Sequence, residues 1–197
     1  EVLHDNLKQI EASDVLERLG LEKGKYILLS AHREENIDTE ANFFNLMNAV
    51  NAMAEKYDMP ILYSCHPRSK KFIEQRGFRF DPRVIQHQPL GFHDYNHLQM
   101  NAFAVVSDSG TLPEESSFFL SVGNPIPAVC IRTSTERPEA LDAGTVKLVG
   151  TDYNRIVNEV SVLIDDKVAY EKMSKAVNPY GDGLACGRIV NALLYRI

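Results

Sequence analysis

Several things are scarce in this chain of 197 residues, and each scarcity removes a class of protein. Cysteine occurs three times, at Cys65, Cys130 and Cys186, too far apart for any CxxC metal or redox spacing. An odd count in a chain of this length does not resemble a disulfide framework, so a reducing, cytoplasmic setting is expected. Long apolar runs are missing as well. The longest, FAVVS from Phe103 and IPAVCI from Ile126, fall far short of the ~20 residues that span a bilayer, so no membrane segment is expected. Basic clusters are also missing: 21 Lys+Arg against 27 Asp+Glu give a formal charge of −6. Phosphate backbones are held by many cations at once, so a nucleic-acid partner is not expected and a small-molecule ligand is. There is no Walker A loop and no GxGxxG fingerprint, so neither ATP nor NAD is inferred. No internal repeat, low-complexity stretch or linker divides the chain, and residues 1–197 read as one domain. The opening at Glu1, without an initiator Met or a signal-like stretch, suggests a fragment of a longer protein.

What is present is an alternation. Residues Val2 to Leu19 carry Leu3, Leu7, Ile10, Val15, Leu16 and Leu19 at helical spacing and predict one helix, stopped by Gly20. Apolar strands follow at Tyr26–His32, Ile61–His66, Val84–Gln88, Phe103–Ser109, Pro127–Ile131 and Thr145–Gly150. Between them lie a polar loop, REENIDTE, and helical patterns at Ala41–Tyr57, Ser69–Arg76, His93–Asn101, from Pro113, at ERPEA and at Tyr153–Ile164. The tail from Asp166 reads as two helices broken at NPYGDG. Continuous apolar strands alternating with helices predict an α/β fold with a Rossmann-like, doubly wound parallel sheet.

In such a sheet ligands bind beyond the carboxyl ends of the strands. Four junctions there are chemically unusual: SAHREEN, SCHPRS, SDSGTLPEE and TSTERPEA. SDSGTLPEE combines a glycine for close backbone approach (Gly110), two hydroxyls (Ser109, Thr111) and Pro113 for a first helical turn, which together suit a phosphate. Glu114 and Glu115 fit ordinary capping of that turn, and Glu115 fits equally an acceptor for ribose hydroxyls. His32 reads as a core histidine when taken alone, but Arg33 and Arg137 supply cations for the same anion. His66 before Pro67 fits a strand end. His93 and His97 stand four apart, but DYN between them lacks the Glu of HExxH and no third ligand appears, so no metal is expected. Cys65, Cys130, Phe118 and Phe119 read as core, with Phe118 and Phe119 also suited to an interface.

Four ordered motifs, AHREEN, SDSGTLPEE, TERPEALDAGTVKLVGTD and NPYGDGLACGRI, resemble the carboxyl-terminal half of the non-hydrolysing bacterial UDP-N-acetylglucosamine 2-epimerases, over nearly the whole chain. The resemblance implies the carboxyl-terminal domain of a GT-B-type two-domain fold, whose active site lies between this domain and an amino-terminal half absent from the chain. It implies that Ser109, Gly110 and Thr111 hold a diphosphate, that Glu115 takes the ribose hydroxyls, and that Arg137 meets the phosphates. Tyr95 and Leu90 fall at uracil-contacting positions. His32 matches the family's active-site histidine, and His66, with Arg33, a second nucleotide-sugar site. The implied reaction eliminates UDP across C1–C2 and adds it back, without a cofactor, for bacterial surface polysaccharide precursors. A homodimer is implied as well. Thr111 in place of a second glycine, AHREEN in place of HRRE, and the longer stretch before ERP resemble relatives acting on 2-acetamido-2,6-dideoxy sugars, whereas NPYGDG resembles the UDP-N-acetylglucosamine enzymes. A GT-B glycosyltransferase and a non-catalytic UDP-sugar-binding module stay open as alternatives.

Overall fold

The structure, a computed structural model, describes residues 1–176, 179–180 and 183–195. In chain order its elements are α1 (Val2–Asp5), α2 (Leu7–Glu11), α3 (Val15–Leu19), β1 (Ile27–Ser30), α4 (Glu34–Ile37) and α5 (Glu40–Tyr57). Next come β2 (Ile61–Ser64), α6 (Pro67–Gln75), β3 (Val84–His87), α7 (Phe92–Asn101), β4 (Ala104–Ser107) and α8 (Leu112–Ser121). The remainder is β5 (Ala128–Cys130), α9 (Pro138–Ala143), β6 (Val146–Leu148), α10 (Tyr153–Asp165), α11 (Lys167–Ser174) and α12 (Ala185–Leu194).

All strand pairs are parallel, in the order β3-β2-β1-β4-β5-β6. Chain direction across the sheet therefore reverses between β1 and β4, and the crevice at their carboxyl ends is the topological switch point where such sheets take ligands. The register pairs Ser30 with Ser107, so β1 and β4 end level and the residues that follow them become neighbours.

The apolar runs alternate between two cores. Ile27, Leu29, Ile61, Tyr63, Val106 and Val129 face one cluster with Phe43, Met47, Val50 and Ile156. Leu28, Leu62, Val105 and Ala128 face the other with Ile10, Leu98, Phe119 and Ala140. Burial on both faces is why these strands carry no polar alternation. The longest helix, α5, shows how sequence sets an element: the Thr39 hydroxyl accepts from Asn42 N–H at its start, an unbroken apolar stripe from Phe43 to Ala54 is buried, and Asp58 ends it in the left-handed region at φ 48°.

Two expectations change. Val2–Leu19 is three short helices, because Asn6 leaves helical geometry at φ −103°, ψ 4°, and Ser13 turns its hydroxyl to Val15 N–H and to Asp94. Asn, Ser and Asp side chains compete with the helix for backbone partners, and here they win. The loop REENIDTE contains α4, with Ile37 buried and Glu34 and Glu35 in its first turn. Phe119 is fully buried and Phe118 packs half-buried against the same core, in line with the core reading of that pair. The two tail helices are present as α11 and α12. Of the expected break, Asn178, Gly181 and Asp182 lie outside the described residues.

Candidate functional site

The switch point is organised by one carboxylate. Asp108, immediately after β4, is 0% exposed. Its Oδ2 accepts from the backbone N–H groups of His32 and Arg33 and from Asn36 Nδ2, each at 2.8 Å. Its Oδ1 lies 3.2 Å from His32 Nδ1. Its backbone carbonyl accepts from Arg33 Nε at 2.8 Å. The β1–α4 turn is thus folded around a buried negative charge, which takes the two amides just before α4 and the Asn36 side chain within it. Burial alone would raise the Asp108 carboxyl, but the imidazole of His32 and the two amides outweigh it and hold it below the usual range. The same contact raises His32 above the ordinary imidazole value, against burial and Arg33. The His32 side chain remains 45% exposed, so its charge is available to the crevice.

Arg33 reaches across the turn to the β4–α8 loop, where a Cβ added to Gly110 would come within 3.4 Å of its terminal nitrogen. Gly110 therefore lets the guanidinium approach the loop backbone closely. In that loop the Ser109 and Thr111 hydroxyls lie 2.9 Å apart, and Thr111 donates to Glu115 at 2.7 Å. Gln99 of α7 donates to the other Glu115 oxygen, also at 2.7 Å. Burial raises the Glu115 carboxyl, with Glu114 adding like charge against the hydrogen bond from Thr111. Pro113, in the first turn of α8, spends no amide there, the Ser109 and Thr111 amides donate to the Ser107 and Ser109 hydroxyls at 3.0 and 3.3 Å, and the positive end of the helix lies on the same side as Arg33. The chemistry of this loop suits an anion, and the carboxylate fixed alongside can accept hydroxyls.

The other expected residues divide. Arg137, which precedes α9, places Nε 2.6 Å from Glu114 Oε1 and so joins the loop through α8. Tyr95 on α7 packs with Leu90 against the second core; burial raises its phenol, while Ser30 and Ser107 at the strand ends partly offset the shift. His66 caps α6 through Nδ1, which accepts from Arg68 N–H at 3.2 Å, and its ring centroid lies 5.9 Å from that of His32. The structure therefore gathers His32, Arg33, Ser109, Gly110, Thr111 and Glu115 tightly, with His66, Arg137 and Tyr95 on the rim. His93 and His97 point elsewhere, to Asn6 and to the Ile10 carbonyl.

Two site residues escape a reading of the sequence. Asp108 is one. The other is Arg132, after β5, whose side chain is 6% exposed and forks onto Glu136 at 2.8 and 3.0 Å, with Glu35 at 3.6 Å. That fork pushes the Glu136 carboxyl down to about 2. An Arg closing an apolar strand beside TERP is the available signal. In the tail, Tyr180 packs near Glu139, Glu114 and Arg137, and burial pushes its phenol up to about 12.

The fold is a Rossmann-like domain of the kind found in GT-B proteins. Residues 1–194 match the family model described as UDP-N-acetylglucosamine 2-epimerase. The chain belongs to that family. It is 39% identical over 172 residues to the UDP-N-acetylglucosamine 2-epimerase of Escherichia coli K12, covering 86% of this chain and 44% of the relative. To the Campylobacter jejuni enzyme of that name it is 38% identical over 173 residues, covering 86% and 43%. Among solved structures, the Neisseria meningitidis UDP-GlcNAc 2-epimerase bound to UDP-GlcNAc aligns with a TM-score of 0.82 and 30% identity, over 98% of this chain and 52% of that one. The Methanocaldococcus jannaschii enzyme in complex with UDP-GlcNAc and UDP gives 0.81 and 28%, over 97% and 51%. The chain thus spans about half the length of the curated relatives it matches, a span that fits the carboxyl-terminal half indicated by the motifs.

Proposed function

We propose that this chain is the UDP-holding half of an enzyme that interconverts UDP-N-acetylglucosamine and UDP-N-acetylmannosamine in the cytoplasm, for surface polysaccharide precursors. The observation that carries the reading is an exposed imidazole backed by a fully buried carboxylate, beside Arg33 and the Ser109–Thr111 loop. In this reading the loop and Arg33 hold the diphosphate, Glu115 takes the ribose hydroxyls, Arg137 meets the phosphates, and uracil lies near Tyr95 and Leu90. His66 with Arg33 borders a second nucleotide-sugar site.

The chemistry is anti elimination and re-addition. A base removes the C2 proton, the C–H electrons form the C1–C2 double bond, and the C1–O bond breaks with its electrons passing to UDP. UDP then adds back to the 2-acetamidoglucal while a proton returns to the opposite face of C2. The sum is redox-neutral and draws on no cofactor. The difficult charge is the one that develops on the departing diphosphate, and preorganised cations are what lower such barriers. His32 and Arg33 supply them. The C2 bases belong to the amino-terminal half, which we infer also covers the exposed Ile189, Val190, Leu193 and Leu194 of α12. The isolated 197 residues then bind UDP and leave C2 untouched, and the full-length enzyme assembles as a homodimer, which light scattering checks.

The deciding test incubates full-length enzyme with UDP-N-acetylglucosamine in deuterated water and follows proton NMR. Deuterium at C2 together with a manno product supports the reading. The Thr111 hydroxyl, bonded to Ser109 and Glu115 where the resemblance expects glycine, favours a UDP-2-acetamido-2,6-dideoxy sugar as the second substrate to try. Failure with both sugars turns the reading to transfer or binding. Glu115→Ala in the isolated chain is expected to weaken UDP by about 10- to 100-fold by calorimetry, the worth of hydrogen bonds to a charged acceptor.

A further inference from the structure

The proposed reaction uses His32 but gives no role to the carboxylate behind it. We propose that Asp108 is a positioning residue, which holds the His32 imidazole through Nδ1 as a cation whose other face meets the departing diphosphate. This rests on the epimerase reading of the site.

The geometry is that of a two-sided clamp. Oδ2 is occupied by two donors from the β1–α4 turn and one from α4, which fixes the carboxylate plane and, through His32 N–H, the backbone from which the imidazole projects. Oδ1 faces His32 Nδ1 at 3.2 Å and receives no aligned hydrogen bond from the described residues. A fully buried carboxylate oxygen without another donor is costly unless a proton sits on that ring nitrogen. Asp108 thereby favours the Nδ1–H form and the imidazolium, and leaves Nε2 to carry the second proton. The groups facing His32 are Asp108 from the end of β4, Arg33 next in the chain, and His66 from the start of α6. Arg33 opposes the imidazolium, and Asp108 outweighs it.

The test uses full-length enzyme carrying isotope-labelled histidine. In the unsubstituted protein, nitrogen NMR is expected to show Nδ1 of His32 protonated through neutral pH and the ring titrating above the ordinary imidazole range. In Asp108→Asn, the carboxamide NH2 faces Nδ1 as a donor, so the neutral ring with a bare Nδ1 is favoured and the titration moves down. The alkaline limb of kcat is expected to move down with it. At pH 8 kcat falls by more than about tenfold while KM stays within about twofold, the mark of an interaction made in the transition state, and activity recovers toward pH 6. Asn36→Ser removes one donor to Oδ2 and keeps the carboxylate–imidazole pair, so it lowers stability without moving the limb.

An unmoved His32 titration in Asp108→Asn, or a loss of kcat that is uniform with pH and matched by Asn36→Ser, overturns the proposal. If Asp108→Asn does not fold, the unsubstituted protein still decides, because a bare Nδ1 on His32 at neutral pH contradicts the clamp. If no C2 exchange occurs with either sugar, the epimerase reading fails separately, and the tautomer and its response to added UDP still test the pair.

Discussion

The two ends of the sheet differ in a way that their shapes do not announce. At the amino ends of β1 and β2, an open depression of about 380 Å³ is lined by residues that include Gly20, Glu22, Gly24, Lys25, Tyr57 and Asp58. Its Lys25–Glu22 pair has both side chains 71% exposed. At the carboxyl ends of β1 and β4, the crevice contains a carboxylate with no exposure at all. Water screens the first pair, and interactions of that kind contribute little. The second charge has given up its hydration, so every donor around it is held in place, and the field it shapes acts on whatever enters. Under the proposed function, desolvated charge beside an exposed imidazole, rather than volume, distinguishes the end that takes the ligand.

That contrast can be broken most directly by removing the charge. Asp108→Ala leaves the His32 and Arg33 amides and the Asn36 carboxamide without their acceptor. It is expected to cost about 3–5 kcal/mol in urea unfolding and to melt α4 first. Acidification is the gentler version. The Asp108 carboxyl is held below the ordinary aspartate value of 3.8 in the folded chain, so its contribution is present above that pH and is lost as pH falls through the folded value. Unfolding midpoints followed from pH 6 to pH 2 are expected to drop steeply in the native chain and less steeply in Asp108→Asn.

Gly110→Ala sharpens the comparison at a smaller scale. Its Cβ meets only the movable end of Arg33 at 3.4 Å, so Tm is expected to shift by a few degrees at most, while UDP affinity falls several-fold as the guanidinium is displaced. Lys25→Ala at the opposite end is expected to leave both Tm and UDP affinity unchanged. A loss of UDP binding in that variant would reverse the assignment of the two ends.

Much of this arrangement is legible in the amino-acid sequence. The alternation of double-sided apolar strands with amphipathic helices points to the α/β class, because burial on two faces leaves a visible pattern. Glycine, hydroxyls and Pro113 mark the β4–α8 loop, because anion seats need particular residue types. Asp108 sits inside the same SDSGTLPEE motif and gives no such sign, since an aspartate between two serines looks like a solvated turn. Only the pairing of Ser30 with Ser107 brings it under the β1–α4 turn and removes it from water. The split of Val2–Leu19 is hidden for a related reason: its apolar spacing suits one helix, and it takes Asp94 of α7 to hold Ser13 in the turn before α3 while bonding Arg18 within that helix.

Sequence by itself therefore determined the secondary alternation, the family motifs and the kinds of group at each strand end, because these follow from local propensity and residue chemistry. Tertiary structure alone decided the strand order, the level endings of β1 and β4, and the burial of Asp108 and Arg132. Those depend on segments far apart in the chain coming together, as with Asp108 and His32 at a separation of 76. A residue's solvation, and with it the charge it imposes on its neighbour, is a property of that meeting and not of the residue.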